Sequence, residues 1–403
     1  MDYLPRIVDT ALDEALASSP IVMVAGARAT GKTTSCARRA TSQLRLPRDL
    51  PLLLSDPATV LRSLSPPALI DEWQLAGTDV LWALKEVVDD DPSPGAFILT
   101  GSVEPEAYGP TYPLTGRAAT VTWRPMSRRE RLGNGDGPAW LEQLRDGSLF
   151  VPHNGEASAN FDLLTQSGFP GSLRATNAVP QLLAYADSIA QRGGDERRDP
   201  VGIGRAMRVL AELDGQAVPM ERIWRAADLN RLTLARYYAL LERTHVIEPA
   251  PAWQTNRLKR LTARPKQFYA DTALALAISG LTADHLTSDP TIAGGFLESF
   301  VACQLRPEVD RFRGSLHHLR DTAGKHEVDI VIELGGRVVA IEVKATTRPT
   351  PAHAAHLEWL RAHLGATVEA TVVLHRGTAT WELVPGVWAV PISTLWNDRS
   401  PRR

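Results

Sequence analysis

The sequence predicts an α/β protein with several domains, and three observations lead to this prediction. The chain has 403 residues, more than a single hydrophobic core usually holds. Residues 1–130 alternate short apolar runs with amphipathic segments, which is typical of a parallel sheet covered by helices. Residues 201–248 have a helical period throughout, and the remainder returns to a mixture of helix and strand.

Changes in composition divide the chain into four parts. In order, these are a front α/β domain (1–130), a helical lid and linker (131–200), a winged-helix-like unit (201–267) and a second α/β domain (268–403). The polar run 193–200 and the basic, Pro-rich run 249–267 mark two of the breaks. Strands are expected at Ile21 to Ala25, Leu52 to Leu54, Ala68 to Ile70, Ala96 to Thr100 and Ala118 to Trp123. A long helical segment is expected over 161–192.

The amino-acid composition restricts the cellular environment and the binding partners that the protein can have. The net charge is −2, so any contact with DNA must come from a local basic patch. Two cysteines cannot form a disulfide framework or a zinc cage. Apolar runs are too short to cross a bilayer, and the first residues lack the pattern of a signal peptide. We therefore expect a cytoplasmic protein without a membrane partner.

A glycine-rich loop predicts an ATP site. The octet GARATGKT follows a β-like run and precedes a segment that favours helix, which is the context of a Walker A loop. Backbone amides would wrap the phosphates, Lys32 would reach the outer phosphates, and Thr33 would offer its hydroxyl to Mg²⁺. The alternative is a chance match in a loop. The predicted nucleotide-binding residues are Gly26, Ala27, Arg28, Ala29, Thr30, Gly31, Lys32, Thr33 and Thr34.

Two later strand ends complete the predicted hydrolysis site. Asp71 and Glu72 follow an apolar run, where Asp71 would hold Mg²⁺ and Glu72 would activate the attacking water. Thr100 and Ser102 follow another strand, beside the expected γ-phosphate; the alternative is that each only caps a strand end. Arg117 is a candidate arginine finger, in cis or from a homo-oligomer partner, and equally a candidate surface arginine.

A second constellation lies near the carboxyl terminus. Two alternating runs joined by Gly335-Gly336 predict a hairpin in which Asp329 lies opposite Glu342 and Glu327 opposite Lys344. Opposed carboxylates repel each other unless a cation lies between them. The pattern therefore indicates a divalent-metal site for Mg²⁺ or Mn²⁺, with Lys344 beside a scissile phosphate. The alternative is a solvated strand face with mixed charges.

Glu298 could add a further metal ligand from an amphipathic helix, or it could be an ordinary acid in the first turn of that helix. In the middle of the chain, helices are expected at Val201 to Leu213, Pro219 to Ala226 and Thr233 to Arg243. Arg231, Thr233 and Arg236 would face outward, and Val246-Ile247 would begin a wing. The basic flank would comprise Arg257, Lys259, Arg260, Arg264 and Lys266, with Trp253 stacking on a base. Packing of this unit against a neighbouring domain is the alternative.

Taken in order, these motifs resemble a prokaryotic family of ATPases with an AAA-superfamily domain in front. Behind it, that family carries a domain of unknown function with winged-helix and restriction-endonuclease-like PD-(D/E)XK parts. The resemblance rests on Tyr3-Leu4-Pro5-Arg6, the Walker A octet, Leu69-Ile70-Asp71-Glu72, Leu99-Thr100-Gly101-Ser102, Leu114-Thr115-Gly116-Arg117, Ser167-Gly168-Phe169-Pro170, Phe268-Tyr269-Ala270-Asp271, Phe296-Leu297-Glu298-Ser299-Phe300-Val301, Glu327-Val328-Asp329 and Glu342-Val343-Lys344. Ala27 departs from the proline often found there, and Val328 stands where the nuclease pattern has its proline.

The resemblance implies ATP-dependent work on DNA, with nuclease-type roles for Glu298, Asp329, Glu342 and Lys344. Our leading hypothesis is an ATPase whose nucleotide state controls a DNA-binding, metal-dependent nuclease. The alternatives are an ATP-dependent DNA-binding regulator with an idle nuclease fold, and a module that holds a protein partner.

Overall fold

The computed structural model describes residues 3–101, 112–151, 153–154, 159–193, 199–254, 264–320 and 325–396. At the front is a parallel five-stranded sheet with strand order β2-β3-β4-β1-β5. Its strands are β1 (Ile21–Ala25), β2 (Ser42–Arg45), β3 (Ala68–Asp71), β4 (Phe97–Gly101) and β5 (Ala118–Thr122). Its helices are α1 (Asp9–Ser18), α2 (Lys32–Ala37), α3 (Leu50–Ser55), α4 (Pro57–Ser63) and α5 (Gly77–Asp90).

Alternating residues of these strands pack into two separate hydrophobic cores, one on each face of the sheet. Met23 packs with residues of α3, α4 and α5, whereas Val22 and Val24 pack with residues of α1 and α2. Both faces of the sheet are therefore covered, which explains why the strands appear as nearly continuous apolar runs.

Four of the five strands predicted for the front domain are confirmed, and one is wrong. The run Leu52 to Leu54 lies in α3, where Leu53 is buried while Leu52 and Leu54 are 56% and 46% exposed. Three leucines alone do not distinguish a strand from one turn of helix, because only a longer run reveals its period. Strand β2 was missed because Leu44 is its one buried residue, as expected of a strand at a sheet edge.

A helical section follows the front sheet. It contains α6 (Arg128–Arg131), α7 (Trp140–Arg145), α8 (Val179–Gly193), α9 (Pro200–Glu212), α10 (Met220–Ala226) and α11 (Arg231–Arg243). The last three agree with the predicted helices to within two residues. The long helix expected over 161–192 is only partly present, because 161–165 and 170–172 form short 3₁₀ turns before α8.

The carboxyl-terminal part contains a seven-stranded mixed sheet with order β6-β11-β12-β10-β9-β8-β7. Its strands are β6 (His153–Asn154), β7 (Ser315–Arg320), β8 (Glu327–Leu334), β9 (Arg337–Lys344), β10 (Val368–His375), β11 (Ala379–Val384) and β12 (Val387–Pro391). The accompanying helices are α12 (Thr272–Ser279), α13 (Ala283–Ser288), α14 (Pro290–Arg311) and α15 (Ala355–Leu364).

Packing crosses two of the expected domain borders. Strand β6 pairs with β11, and the indole of Trp140 donates a hydrogen bond to Thr394 at 2.9 Å. Residues of the section 131–200 are thus in contact with the rear sheet. Helix α12, which was expected in the second α/β domain, packs against α8 and α9 of the helical section.

Candidate functional site

The Walker A loop joins β1 to α2 and requires its glycines. Gly26 has a φ of 156°, and a Cβ built on it would lie 1.9 Å from the carbonyl oxygen of Trp123. Gly31 has a φ of 93°, in the left-handed region that favours glycine. These constraints hold the loop in a tight wrap that ends at the amino terminus of α2, where phosphate is favoured.

Lys32 lies within this cradle. Its Nζ donates hydrogen bonds to the carbonyl oxygens of Gly26 at 2.8 Å and Ala27 at 2.7 Å. Burial lowers the pKa of Lys32 to about 8, while the nearby charges of Glu72 and Asp71 oppose that shift. The ammonium is thus held among loop oxygens, a place from which it can turn to a phosphate.

The acid of β3 and two hydroxyls meet at one oxygen. Thr33 donates to Oδ1 of Asp71 at 2.8 Å, and Thr100 donates to the same oxygen at 2.5 Å. Strand β4 lies between β1 and β3 in the sheet, with Thr100 opposite both Val24 and Asp71. The three side chains predicted from separate motifs are therefore in contact.

This arrangement fits the magnesium ion of a nucleotide. Mg²⁺ in such sites keeps several waters and uses one or two protein oxygens together with phosphates. The Thr33 hydroxyl and the Asp71 carboxylate provide such oxygens beside the loop. Glu72, with a left-handed φ of 59°, accepts a hydrogen bond from the amide of Gln74 and is only half-buried.

The other residues predicted to bind the nucleotide differ in how far they are exposed. Thr30 is buried and donates to the carbonyl of Ala27 at 2.8 Å, so its side chain braces the loop. Ala29 and Thr34 are exposed, and Arg28 is half-buried. Ser102 lies outside the described residues.

Arg117 is far from the cradle, so the hypothesis of an arginine finger in cis is wrong. Its carbonyl accepts from the amide of Ile21 at 3.3 Å, which places it at the amino end of β1 and β5. The loop follows the opposite end of β1, about 15 Å away for a strand of this length. The guanidinium instead pairs with Asp89, with Nη2 3.0 Å from Oδ2. A role in trans stays a prediction.

Arg6 supports the loop and was not recognised as a site residue. It donates to the carbonyl of Thr30 at 3.1 Å, to the carbonyl of Arg124 at 2.7 Å and to Glu130 at 3.1 Å. Both charged groups are buried, with 4% and 0% of their side chains exposed. The sequence signal was weak, because an arginine near an amino terminus usually faces solvent.

A second site lies where β8 and β9 separate. The hairpin has the predicted register, from Leu334 opposite Arg337 to Ile330 opposite Ile341. One residue beyond this pairing, the Asp329 carboxylate accepts a hydrogen bond from the backbone amide of Val343 at 2.9 Å. Glu327 does not face Lys344 as expected, because the pairing of β8 with β9 extends only as far as Ile330 opposite Ile341. On the other side of β8, Glu327 is opposite Arg320 of β7, with 3.9 Å between the charged groups.

Where β8 and β9 separate, the side chains of Asp329, Glu342 and Lys344 come together. Nζ of Lys344 lies 3.5 Å from Oδ2 of Asp329 and contacts Glu342. Burial and then the charge of Asp329 raise the pKa of Glu342 well above its ordinary value. Burial alone would raise the pKa of Asp329 too, but Lys266 and Lys344 outweigh it and hold that pKa low.

Lys266 also belongs to this cluster, and the sequence analysis misplaced it. It was expected on a DNA-contacting flank, yet it is 2% exposed and its Nζ contacts Glu298. The same Nζ lies 3.5 Å from Oδ1 of Asp329. Burial raises the pKa of Glu298 to about 8, with the charge of Asp329 adding to the rise. We call Lys266, Glu298, Asp329, Glu342 and Lys344 the carboxylate–lysine cluster.

The cluster does not fit the predicted divalent metal in this arrangement. Among the described residues, no group of three or more His, Cys, Asp or Glu side chains has a geometry that could hold a metal ion. The prediction that Glu298, Asp329 and Glu342 form a ligand set is corrected accordingly. Ammonium groups take the places beside these acids, since each oxygen of Asp329 faces a different lysine.

The helical section has a charged outer face. Arg231 and Arg236 of α11 are exposed as predicted, whereas Thr233 is half-buried. Trp253 does not face a base, because it is 6% exposed and its indole donates to Glu333 at 2.9 Å. Of the proposed basic flank, Arg257, Lys259 and Arg260 lie outside the described residues, and Arg264 is exposed.

Comparison with known families agrees with this geometry at the front. Residues 18–132 match the model of an AAA domain, 161–285 match a domain of unknown function (DUF8612) and 293–395 match another (DUF4143). Together with the loop, the strand-end acid and the parallel sheet, the first match identifies the front of the chain as a P-loop domain of the AAA class. Strands β7 to β12 of the rear sheet lie within the residues that match DUF4143, a domain of unknown function.

The chain is also similar to two mycobacterial proteins described as uncharacterized. One from Mycobacterium bovis and one from Mycobacterium tuberculosis are each 28% identical over 351 residues, covering 84% of this chain and 73% of theirs. Among solved structures, a Walker-type ATPase of Pyrococcus abyssi matches at 17% identity with a TM-score of 0.40, over 69% of this chain and 99% of that one. Within the described residues, no helix is long and apolar enough to cross a membrane.

Proposed function

We propose that the protein binds and hydrolyses ATP at the Walker A cradle, and that the bound nucleotide controls a DNA-binding rear half. The observation that carries this proposal is the meeting of Thr33, Asp71 and Thr100 at one carboxylate oxygen. The first turn of α2 and the ends of β3 and β4, which are distant in sequence, converge there beside the loop. Nucleotide hydrolysis needs such a convergence of side chains, whereas a turn that only binds phosphate does not need it.

Each residue of the cradle has a distinct role in this proposal. Lys32 leaves the loop carbonyls to bind the outer phosphates, and the loop amides bind the remaining phosphate oxygens. Thr33 and Asp71 hold the Mg²⁺ that, when bound, neutralises charge on the phosphates. Glu72 accepts a proton from the attacking water, and Thr100, through its bond to Asp71, senses whether a γ-phosphate is present.

The helical section is the proposed DNA-binding part. Exposed Arg231 and Arg236 lie on α11, and Arg222 and Arg225 are exposed on the neighbouring α10. Exposed arginines on one helical unit neutralise phosphates, even in a chain with a net charge of −2. The antiparallel pairing of Ile247 with Tyr269 and of Ala250 with Lys266 supplies a ribbon of the kind found beside such helices.

For the rear cluster, we favour the idle form of a nuclease-like site over one that is ready to cleave. Cleavage of a phosphodiester by paired acids depends on a divalent ion between them. Here two lysines, the buried Lys266 and the partly exposed Lys344, lie against these acids instead. These contacts support our proposal of a DNA-binding regulator in which cleavage is switched off.

Phosphate release from ATP tests the first part of the proposal. We expect Lys32→Ala to lose ATP binding and turnover, and Glu72→Gln to bind ATP while losing turnover. Lys85→Ala is the matched control, because Lys85 lies on the exposed face of α5 and pairs only with Asp89 among the contacts described. Turnover in Lys32→Ala equal to that of Lys85→Ala would refute ATP hydrolysis at this loop.

Fluorescence anisotropy with a labelled duplex tests the second part. We expect wild-type affinity to differ between ATP-bound and ADP-bound protein and to fall as salt rises. The variant Arg231→Ala/Arg236→Ala should bind at least tenfold more weakly at each salt concentration, while Arg62→Ala, on the front domain, should bind normally. Equal binding by the two variants would place any DNA contact elsewhere, and no binding at moderate salt would favour a protein partner.

A further inference from the structure

A short ribbon carries Lys266 into the carboxylate–lysine cluster. Residues 246–250 pair antiparallel with 266–270, through hydrogen bonds from Glu248 to Phe268 (2.8 Å), from Ala250 to Lys266 (2.9 Å) and from Ala270 to Val246 (3.0 Å). We call these two segments the ribbon. The rest of the cluster comes from α14, β8 and β9, so Lys266 is the one member described here that the ribbon contributes.

The position of Lys266 is that of a bridging cation. Its Nζ contacts Glu298 and lies 3.5 Å from Asp329, which joins the acid of α14 to the acid of β8. Lys344 makes the corresponding bridge between Asp329 and Glu342. Among the described residues, Oε1 of Glu342 is buried without a hydrogen-bond partner.

The charges of the cluster indicate what would compensate the acids if the Lys266 ammonium group moved away. Three acids share two ammonium groups, all of them largely buried. Removing one ammonium leaves closely spaced acids without sufficient positive charge, and such acids either take up a proton or bind another cation. Carboxylate oxygens from three acids are hard ligands, which suit a divalent ion such as Mn²⁺.

We infer that Lys266 is a built-in, displaceable cation that closes the cluster to divalent metal, and that withdrawal of the ribbon opens a metal site between Glu298 and Asp329. This inference rests on the proposed function, since it explains why the nuclease-like site is idle in this conformation. In this inference, Lys266 only controls whether a metal ion can bind, and it takes no part in bond cleavage.

The ribbon is also attached to the front domain, through Glu248. Arg124, which follows β5, pairs with Glu248 at 2.8 Å, and Arg306 of α14 lies 3.4 Å from the same carboxylate. The carbonyl of Arg124 accepts from Arg6, which also holds the Walker A loop at Thr30. A shift of that loop would therefore reach the ribbon through Arg6, Arg124 and Glu248.

Metal binding without nucleotide tests the inference directly. Mn²⁺ is titrated into wild-type protein, Lys266→Met and the surface control Lys85→Met, with free Mn²⁺ followed by electron paramagnetic resonance. We expect Lys266→Met to gain one Mn²⁺ per chain at least tenfold tighter than either other protein, and to lose it when Asp329→Asn is added. A Lys266→Met protein that gains no ion overturns the inference.

Wild-type protein provides a second test that does not depend on the folding of a variant. If wild type already binds one nucleotide-free Mn²⁺ that Asp329→Asn removes, Lys266 does not close the site and the inference fails. Thermal unfolding adds a further readout, since Mn²⁺ should raise the Tm of Lys266→Met more than that of wild type. An equal rise in both proteins contradicts the inference.

Phosphate release separates this inference from the proposed function. If Lys266→Met hydrolyses ATP like wild type but gains no Mn²⁺, the lysine closure is refuted while ATP hydrolysis stands. If wild type shows no hydrolysis but Lys266→Met gains the ion, the ATPase proposal fails and the closure stands.

Discussion

The nucleotide cradle and the carboxylate–lysine cluster use the same kinds of residue in opposite ways. Both place acids on buried strands, and both contain a buried lysine. In the cradle, Lys32 donates to loop carbonyls and Asp71 accepts only hydroxyl donors among the contacts described. In the cluster, Lys266 and Lys344 lie against the acids themselves.

This difference determines which site can receive a cation. An acid that accepts from hydroxyls keeps its negative charge available, because hydroxyls are neutral donors. An acid paired with ammonium groups has its charge already compensated, and a metal ion must displace one of them. The placement of lysines, more than the number of acids, therefore distinguishes a site ready for a metal ion from a closed one.

Removing the acid from each site should give the largest contrast in ATP turnover. Asp71→Asn removes a charge that holds Mg²⁺ beside the phosphates, so we expect kcat/KM for ATP to fall by about 100-fold or more. Asp329→Asn should leave this value within about twofold of wild type. Phosphate-release assays on both variants provide the comparison, and similar losses would show that the two sites act as one.

A double-mutant cycle in the cluster should show strong coupling in stability. Lys266→Met removes the ammonium beside Glu298 and Asp329, and Glu298→Gln removes one of the two acids beside Lys266, so each variant should be less stable than wild type. The double variant removes the pair and should lose much less than the sum of the two. Guanidinium unfolding midpoints measure these effects. Additive losses would mean that Lys266 and Glu298 do not stabilise each other.

The lysine of the cradle should make ATP affinity depend on pH. The pKa of Lys32 is lowered to about 8 in the free protein, and phosphate oxygens would raise it again in the complex. Above pH 8 binding then requires uptake of a proton, so affinity should fall about tenfold per pH unit. Below pH 8 this dependence should vanish. Calorimetric titration between pH 7 and 9.5 tests the slope, and Lys32→Arg should remove it.

Arg117 should give the smallest effect. Because it lies at the sheet edge opposite the loop and pairs with Asp89 at the surface, Arg117→Ala should leave ATP turnover within about twofold at low protein concentration. Turnover is then measured across a range of protein concentrations. A loss that appears only at high concentration would support a role in trans within a homo-oligomer.

Several parts of the two sites could be predicted because their signals are local. The glycines, Lys32 and Thr33 lie within eight residues, and a tight turn with a phosphate-binding amide array needs that spacing. The register of β8 and β9 from Leu334 opposite Arg337 to Ile330 opposite Ile341 also followed from Gly335-Gly336, since a two-residue turn determines the opposed pairs for as long as the strands stay paired. Lys266 could not be placed in this way, because nothing in its neighbours points to Asp329.

The Walker A loop, the acid at the end of β3 and the hairpin of β8 and β9 could all be predicted from the residues alone. Each follows from short-range periodicity and turn geometry, which local residues specify. Only the tertiary structure decided that Arg117 lies at the far edge of the sheet and that Lys266 fills the rear cluster. Those outcomes depend on which elements pack together, and contacts across tens of residues of chain leave no periodic signal in the sequence.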